Sequence, residues 1–236
     1  MNEHYEQARV QASSPRIRAG EDKGMLKRLV PIAGVVAAML CSHTAMADPM
    51  KTFEGRKLFQ SLCFVCHGAE GKGDGPLTKR MDVRPADLTA ERTRLRNDQE
   101  LLDIIAGADD HRPARAMPRW GKLIGDTDMA AVLAYVRFLQ QSRHRLEGDP
   151  GVGRTIYQDY CVVCHGDTGR GDGIKADLLP LKPADHSDAA RMDKLSNKEL
   201  RNVIINGGSY MPSWSNTLSS TEVDAVIAYI RLLAFQ

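Results

Sequence analysis

The chain has 236 residues, with 32 Lys and Arg against 30 Asp and Glu and a formal net charge of +2. Residues 1–47 hold six of the basic and four of the acidic residues, so the rest balances at 26 of each sign. That leaves no basic stripe of the kind that binds nucleic acid. Aromatic residues are only 6% of the chain, thin for an ordinary apolar core.

In chain order, residues 1–24 are polar. Lys27-Arg28, an apolar run Leu29–Cys41 and Ala45-Met46-Ala47 before Asp48 then supply the three parts of a secretory signal peptide. Thirteen apolar residues fall short of the about 20 needed to cross a bilayer. The sequence therefore predicts export to the periplasm and a mature chain from Asp48 without a transmembrane span. If the signal stays uncleaved, it predicts an inner-membrane anchor instead.

Asp48-Pro49 is an acidic N-cap followed by Pro at the first helical position, and opens a first helix. That helix runs into Cys63-Phe64-Val65-Cys66-His67. C-x-x-C-H is the attachment pattern of a c-type haem. One helical turn sets both thiols on one porphyrin edge, as thioethers, and aims the next imidazole at the iron. Gly71-Lys-Gly73-Asp-Gly75 and Arg84-Pro85-Ala86-Asp87 follow as loops, and Asn97-x-x-Glu100 is a capping box for a short middle helix. Met117-Pro118-Arg119-Trp120 precedes a last helix that contains Ala131-Val-Leu-Ala-Tyr135-Val-Arg137.

After a linker at 142–148 the pattern repeats. Asp149-Pro150 answers Asp48-Pro49, and Cys161-Val162-Val163-Cys164-His165, Gly169-Arg-Gly171-Asp-Gly173 and Lys182-Pro183-Ala184-Asp185 each lie 98 residues after their matches in the first copy. Ser196-x-x-Glu199 and Ser219-x-x-Glu222 cap the middle and last helices, and Ala225-Val-Ile-Ala-Tyr229-Ile-Arg231 lies only 94 after its match. The first copy thus holds four extra residues, assigned to 107–115. No segment alternates like a strand. The prediction is an all-α chain of two tandem haem domains, 48–141 and 149–236, each of about three main helices. A zinc ribbon would set its C-x-x-C pairs about 15–20 residues apart, and a redox dithiol needs no following His.

Each copy also offers one matching thioether before its last helix, Met117 and Met211, both followed by Pro and three residues before a Trp. His/Met ligation is a known arrangement for such irons, so the expected iron ligands are His67 with Met117 and His165 with Met211. Cys63, Cys66, Cys161 and Cys164 hold the haems, with Trp120 and Trp214 in their pockets. His111, Met81 and His144 in the first half, and His186 and Met192 in the second, have no counterparts and read as surface or loop residues.

Over about residues 50–236 these motifs resemble a two-haem member of the class I cytochrome c family. The resemblance implies that the first and last helices cross, with Gly55, Phe59 and Tyr135, and Gly153, Tyr157 and Tyr229, at the crossings. It also implies that a Pro carbonyl orients the proximal His, for which Pro85 and Pro183 are the candidates. The M-P-x-W and R/K-P-A-D variants are similar to cytochrome subunits of terminal oxidases and of periplasmic dehydrogenases.

The expected function is an exported dihaem carrier that exchanges electrons with redox proteins such as a dehydrogenase, an oxidase or a reductase, and is not itself an enzyme. The alternatives are an oxidoreductase with one open or displaceable iron ligand, or a haem subunit held in a dehydrogenase or oxidase complex. Arg112, Arg115, Arg119 and Lys122 surround Met117, whereas 207–216 carries no charge. The first haem edge is thus expected to dock an acidic partner.

Overall fold

The computed structural model describes residues 48–107 and 117–235, which are helical, with no strand among the described residues. The expected signal segment with Cys41, and His111, Arg112 and Arg115, lie outside them. The described residues belong to one compact unit.

In the first half, α1 (Pro49–Leu58) passes through a π-helical turn (Phe59–Cys63) into α2 (Phe64–His67). Then come α3 (Thr78–Met81), α4 (Glu91–Arg94), α5 (Asp98–Ala106) and α6 (Asp126–Gln141). The second half runs α7 (Pro150–Tyr160), α8 (Val162–His165), α9 (Ala189–Met192), α10 (Asn197–Asn206) and α11 (Ser220–Leu233). The main helices other than α6, whose N-cap is Gly125 without a side-chain bond, begin where the capping signals put them. The Asp48 carboxylate accepts from the Met50 amide at 2.9 Å and Asp149 from the Gly151 amide at 2.7 Å. Asn97, Ser196 and Ser219 each close a full capping box, and such caps contribute about 1 kcal/mol apiece. The one-turn helices α3, α4 and α9 are too short to carry an apolar period, so they read as loop in the sequence.

The π-helical turn has a local cause. The Ser61 hydroxyl donates to the Lys57 carbonyl at 2.9 Å and to that of Leu58 at 3.1 Å. A hydroxyl bonded back to preceding carbonyls competes with the backbone ladder, and the helix widens around it. Asp159 stands at the matching place in α7, which stays regular.

α1 packs across α6, and α7 across α11. A Cβ on Gly55 would strike the Ala131 carbonyl, and one on Gly153 that of Ala225. Only a missing side chain lets the backbones come this close. One turn on, Phe59 meets Tyr135 edge-on with ring centroids 5.3 Å apart, and Tyr157 meets Tyr229 at the same distance. Such aromatic pairs add about 0.5–1.5 kcal/mol beyond their buried area.

The two halves share α11. Val226, Ile227, Ile230 and Leu233 fill the core of the second half, while Ala228 and Leu232 join Phe53, Val132 and Phe138 in that of the first. The sequence therefore makes α11 apolar almost all round, as a helix buried on every side must be. The linker is tied to the first domain at two points. Leu146 is buried in the first core, and the Arg56 guanidinium donates to the carbonyls of Leu146 and Gly148, both at 2.9 Å.

Candidate haem sites

Each site begins with two thiols that no disulfide ties up. Cys63 and Cys66 are set by the π-helical turn and α2, and Cys161 and Cys164 by the end of α7 and α8. Burial, and secondly the neighbouring cysteine, push the Cys63 thiol up to about 11 and that of Cys161 up to about 12. Both are protonated thiols at neutral pH.

The glycine loop after each motif folds back onto it. The Gly73 amide donates to the His67 carbonyl at 2.9 Å and the Gly75 amide to that of Cys66 at 3.0 Å; Gly171 and Gly173 repeat this at 2.8 and 3.1 Å. Gly73 and Gly171 have φ of +77° and +70°, and a Cβ on either would press on the Pro85 or Pro183 carbonyl. Glycine is required here on both counts. The loop in turn holds the next segment, for the Leu88 amide donates to the Gly71 carbonyl at 2.7 Å and the His186 amide to that of Gly169 at 2.6 Å.

That placement orients the imidazoles. Nδ1 of His67 donates to the Ala86 carbonyl at 3.2 Å, and Nδ1 of His165 to the Ala184 carbonyl at 3.1 Å. The orienting acceptor is thus one residue beyond the expected Pro85 and Pro183, whose carbonyls face the glycine loop instead. With Nδ1 protonated and engaged, Nε2 keeps its lone pair for a metal. Burial lowers the pKa of both imidazoles, and the Ala carbonyls offset this in part. The neutral, ligating form is favoured.

The methionine loops lie against the ends of the middle helices. Met211 and Trp214 are half-buried against the second core, and the Trp214 amide donates to the Ile204 carbonyl at 3.2 Å. Gly207 at the end of α10 touches the Met211–Pro212 backbone. Met117 and Trp120 are half-buried too, and Gly107 at the end of α5 abuts Arg119.

Of the residues read as surface or loop, Met81 is exposed, and the half-buried His144 ring is bonded to the Asp193 carbonyl at 2.9 Å. Met192 and His186 correct that expectation. Met192 is a core residue, and His186 lies behind His165 with only 8% of its surface exposed. Their lack of a counterpart suggested exposure, but a buried site can also differ between repeats. Burial pushes the His186 pKa down to about 3, and neighbouring His165 lowers it further.

Two free thiols on one helical turn, followed by a carbonyl-pinned imidazole with Nε2 available, fit covalent attachment of haem in each half. Among the described residues no three His, Cys, Asp or Glu side chains gather into a separate metal site.

Comparison with known proteins agrees. Residues 53–140 match the family model described as cytochrome c, and residues 148–230 the one described as cytochrome c oxidase, cbb3-type, subunit III. A cbb3-type cytochrome c oxidase subunit FixP from Azorhizobium caulinodans is 26% identical over 181 residues, covering 76% of this chain and 59% of that protein. The subunit CcoP from an Azospirillum species is 29% identical over 194 residues, 76% of this chain and 61% of that one. Cytochrome c6 from Bryopsis maxima is 29% identical over 85 residues, 35% of this chain and 90% of its own. The chain spans about three fifths of the length of the oxidase-subunit relatives. Both halves belong to the cytochrome c family, and the protein is a dihaem c-type cytochrome of two tandem domains.

Proposed function

We propose that this cytochrome is an exported, periplasmic electron carrier whose two irons are each closed by His and Met: His67 with Met117, and His165 with Met211. The observation that carries this is the duplication itself. The imidazole pinned to an alanine carbonyl occurs in both domains at the same place, followed in each by the same Met-Pro-x-Trp loop at the end of the middle helix.

When bound, haem supplies one-electron chemistry between Fe(II) and Fe(III). The chain's own residues do the rest. Cys63, Cys66, Cys161 and Cys164 tether the two groups, the alanine carbonyls fix the imidazole tautomers, and the methionines close the remaining faces against small ligands. Trp120 and Trp214, with Pro85 and Pro183, complete the pocket walls. Domains that share α11 and a clamped linker hold two such sites in one body, so a single chain can accept from one redox protein and donate to another. Among the described residues no helix is long and apolar enough to cross a membrane.

Arg119 and Lys122 are exposed beside Met117, while 207–216 carries no charge. The first domain therefore offers the docking edge for an acidic partner. A second reading, a haem subunit held in an oxidase assembly, is favoured by the names of the relatives; it predicts co-purification in a larger complex.

Ligand removal tests the carrier reading. The unaltered reduced protein should bind no carbon monoxide, whereas Met117→Ala and Met211→Ala should each open one iron and bind one equivalent. Carbon monoxide binding by the unaltered protein, or no change in a variant, would contradict the assignment.

A further inference from the structure

Behind the proximal imidazole the domains part company. Phe59 and Leu88 of the first are matched, 98 residues on, by Tyr157 and His186 of the second. The backbone station is the same, because the Leu88 and His186 amides make equivalent bonds to the glycine loop. Leu88 packs on the first core. His186 lays its ring on that of His165, with centroids 4.2 Å apart and planes inclined by 15°. On its other side the Nδ1 of His186 is hydrogen-bonded to the Tyr157 hydroxyl at 3.1 Å, and Tyr157 is fully buried.

The two replacements make sense only together. Tyr157 against a leucine would bury an unpaired hydroxyl, and His186 against a phenylalanine an unpaired ring nitrogen, each left without the hydrogen bond it gives up water to make. An apolar pair would fill this space without any such constraint, as Phe59 and Leu88 do. What the polar pair adds is an aromatic face held parallel to the ligand imidazole.

We propose that Tyr157 and His186 are a positioning pair that acts through His165 and sets the potential of the second haem below that of the first. Ferric iron draws electron density from its imidazole, and the electron-rich face stacked on His165 favours that state, as ring faces favour cations. A polar surrounding adds in the same direction, since the shell around a metal site tunes its potential. Tyr157 holds His186 in the plane that makes the stack. The first domain, with leucine at that place, lacks the device. Electrons then rest preferentially on the first haem.

The inference rests on His165 as proximal ligand, and that is checked apart from the pair. His165→Gly should lose the low-spin spectrum of one haem and regain it when imidazole is added; if it does not, the ligand assignment fails and takes the inference with it, whatever the potentials of the pair variants. For the pair, potentiometric titration of the dihaem protein is followed by nuclear magnetic resonance, the second haem identified by its contacts to Cys161 and Cys164. His186→Leu should raise the second potential enough to change its ferric-to-ferrous ratio tenfold at fixed potential, about 59 mV for one electron. The first haem should stay put, and the shifted haem-methyl pattern of the second should change. Tyr157→Phe should do the same in smaller measure. The reciprocal change, Phe59→Tyr with Leu88→His, should lower the first potential, and decides the matter if the second domain tolerates no substitution. Unmoved potentials, equal shifts at both haems, or a fall at the second on His186→Leu would overturn the proposal.

Discussion

The same tie holds the last helix to the middle of each domain, but in two settings. In the first domain Arg137 lies near the surface, donating to the Arg96 carbonyl at 2.7 Å and to the Asp98 carboxylate at 2.8 Å. In the second, Arg231 is wholly enclosed and bonded to the carbonyls of Met192 and Leu195 and to the Asn197 side chain. A carboxylate serves where water shares the charge, and a neutral amide where it does not. The difference follows from packing, because α11 is gripped by both domains while α6 is covered on one side only. A repeat keeps its geometry and changes its chemistry according to what lies against it.

Breaking the tie should therefore cost far more in the second domain. Arg231→Met strands the Met192 and Leu195 carbonyls at about 1–3 kcal/mol each, so denaturant unfolding should show a loss of roughly 2–6 kcal/mol. Arg137→Met gives up a largely solvated ion pair, worth under about 1 kcal/mol. Equal losses would mean that α11 is no more deeply held than α6.

The helix crossings sharpen the comparison from the other side, since there the domains are alike. Gly55→Ala and Gly153→Ala each drive a Cβ into a carbonyl of the last helix, and overpacking of this kind costs about 1–3 kcal/mol. Thermal melts should fall in both variants. A harmless substitution would show that the crossing is looser than its geometry.

The smallest effect on the fold, and a selective one on function, is expected at the charged edge. Arg119→Glu with Lys122→Glu should leave stability within about 0.5 kcal/mol yet slow electron exchange with an acidic partner at low ionic strength. The difference should fade as salt screens the pair. An unchanged rate at low salt would remove the docking surface.

Much of this was legible from the residues. Asp48-Pro49, Asn97-x-x-Glu100 and Ser219-x-x-Glu222 mark helix starts because caps are local chemistry, and the glycine–aromatic crossings were implied by the resemblance to the cytochrome c family. The haem motifs were readable for the same reason, a covalent geometry packed into five residues. What was not legible depends on contacts far along the chain. The alanine carbonyl that orients each imidazole differs by one residue from the proline, and only the fold of the glycine loop decides between them. His186 looked like a loop residue because nothing near it in sequence explains it; its partner Tyr157 is 29 residues away. The available signal was two apolar positions turning polar together between the copies.

The claim that most needs testing is that both irons are closed by methionine. The visible spectrum of the oxidised dihaem protein, with the weak far-red band of methionine sulfur on ferric iron quantified per haem, tests it directly. The account predicts two equivalents of that band, and no carbon monoxide binding after reduction. One equivalent, with carbon monoxide held at the other haem, would contradict it and make the domain without the band a place for substrate.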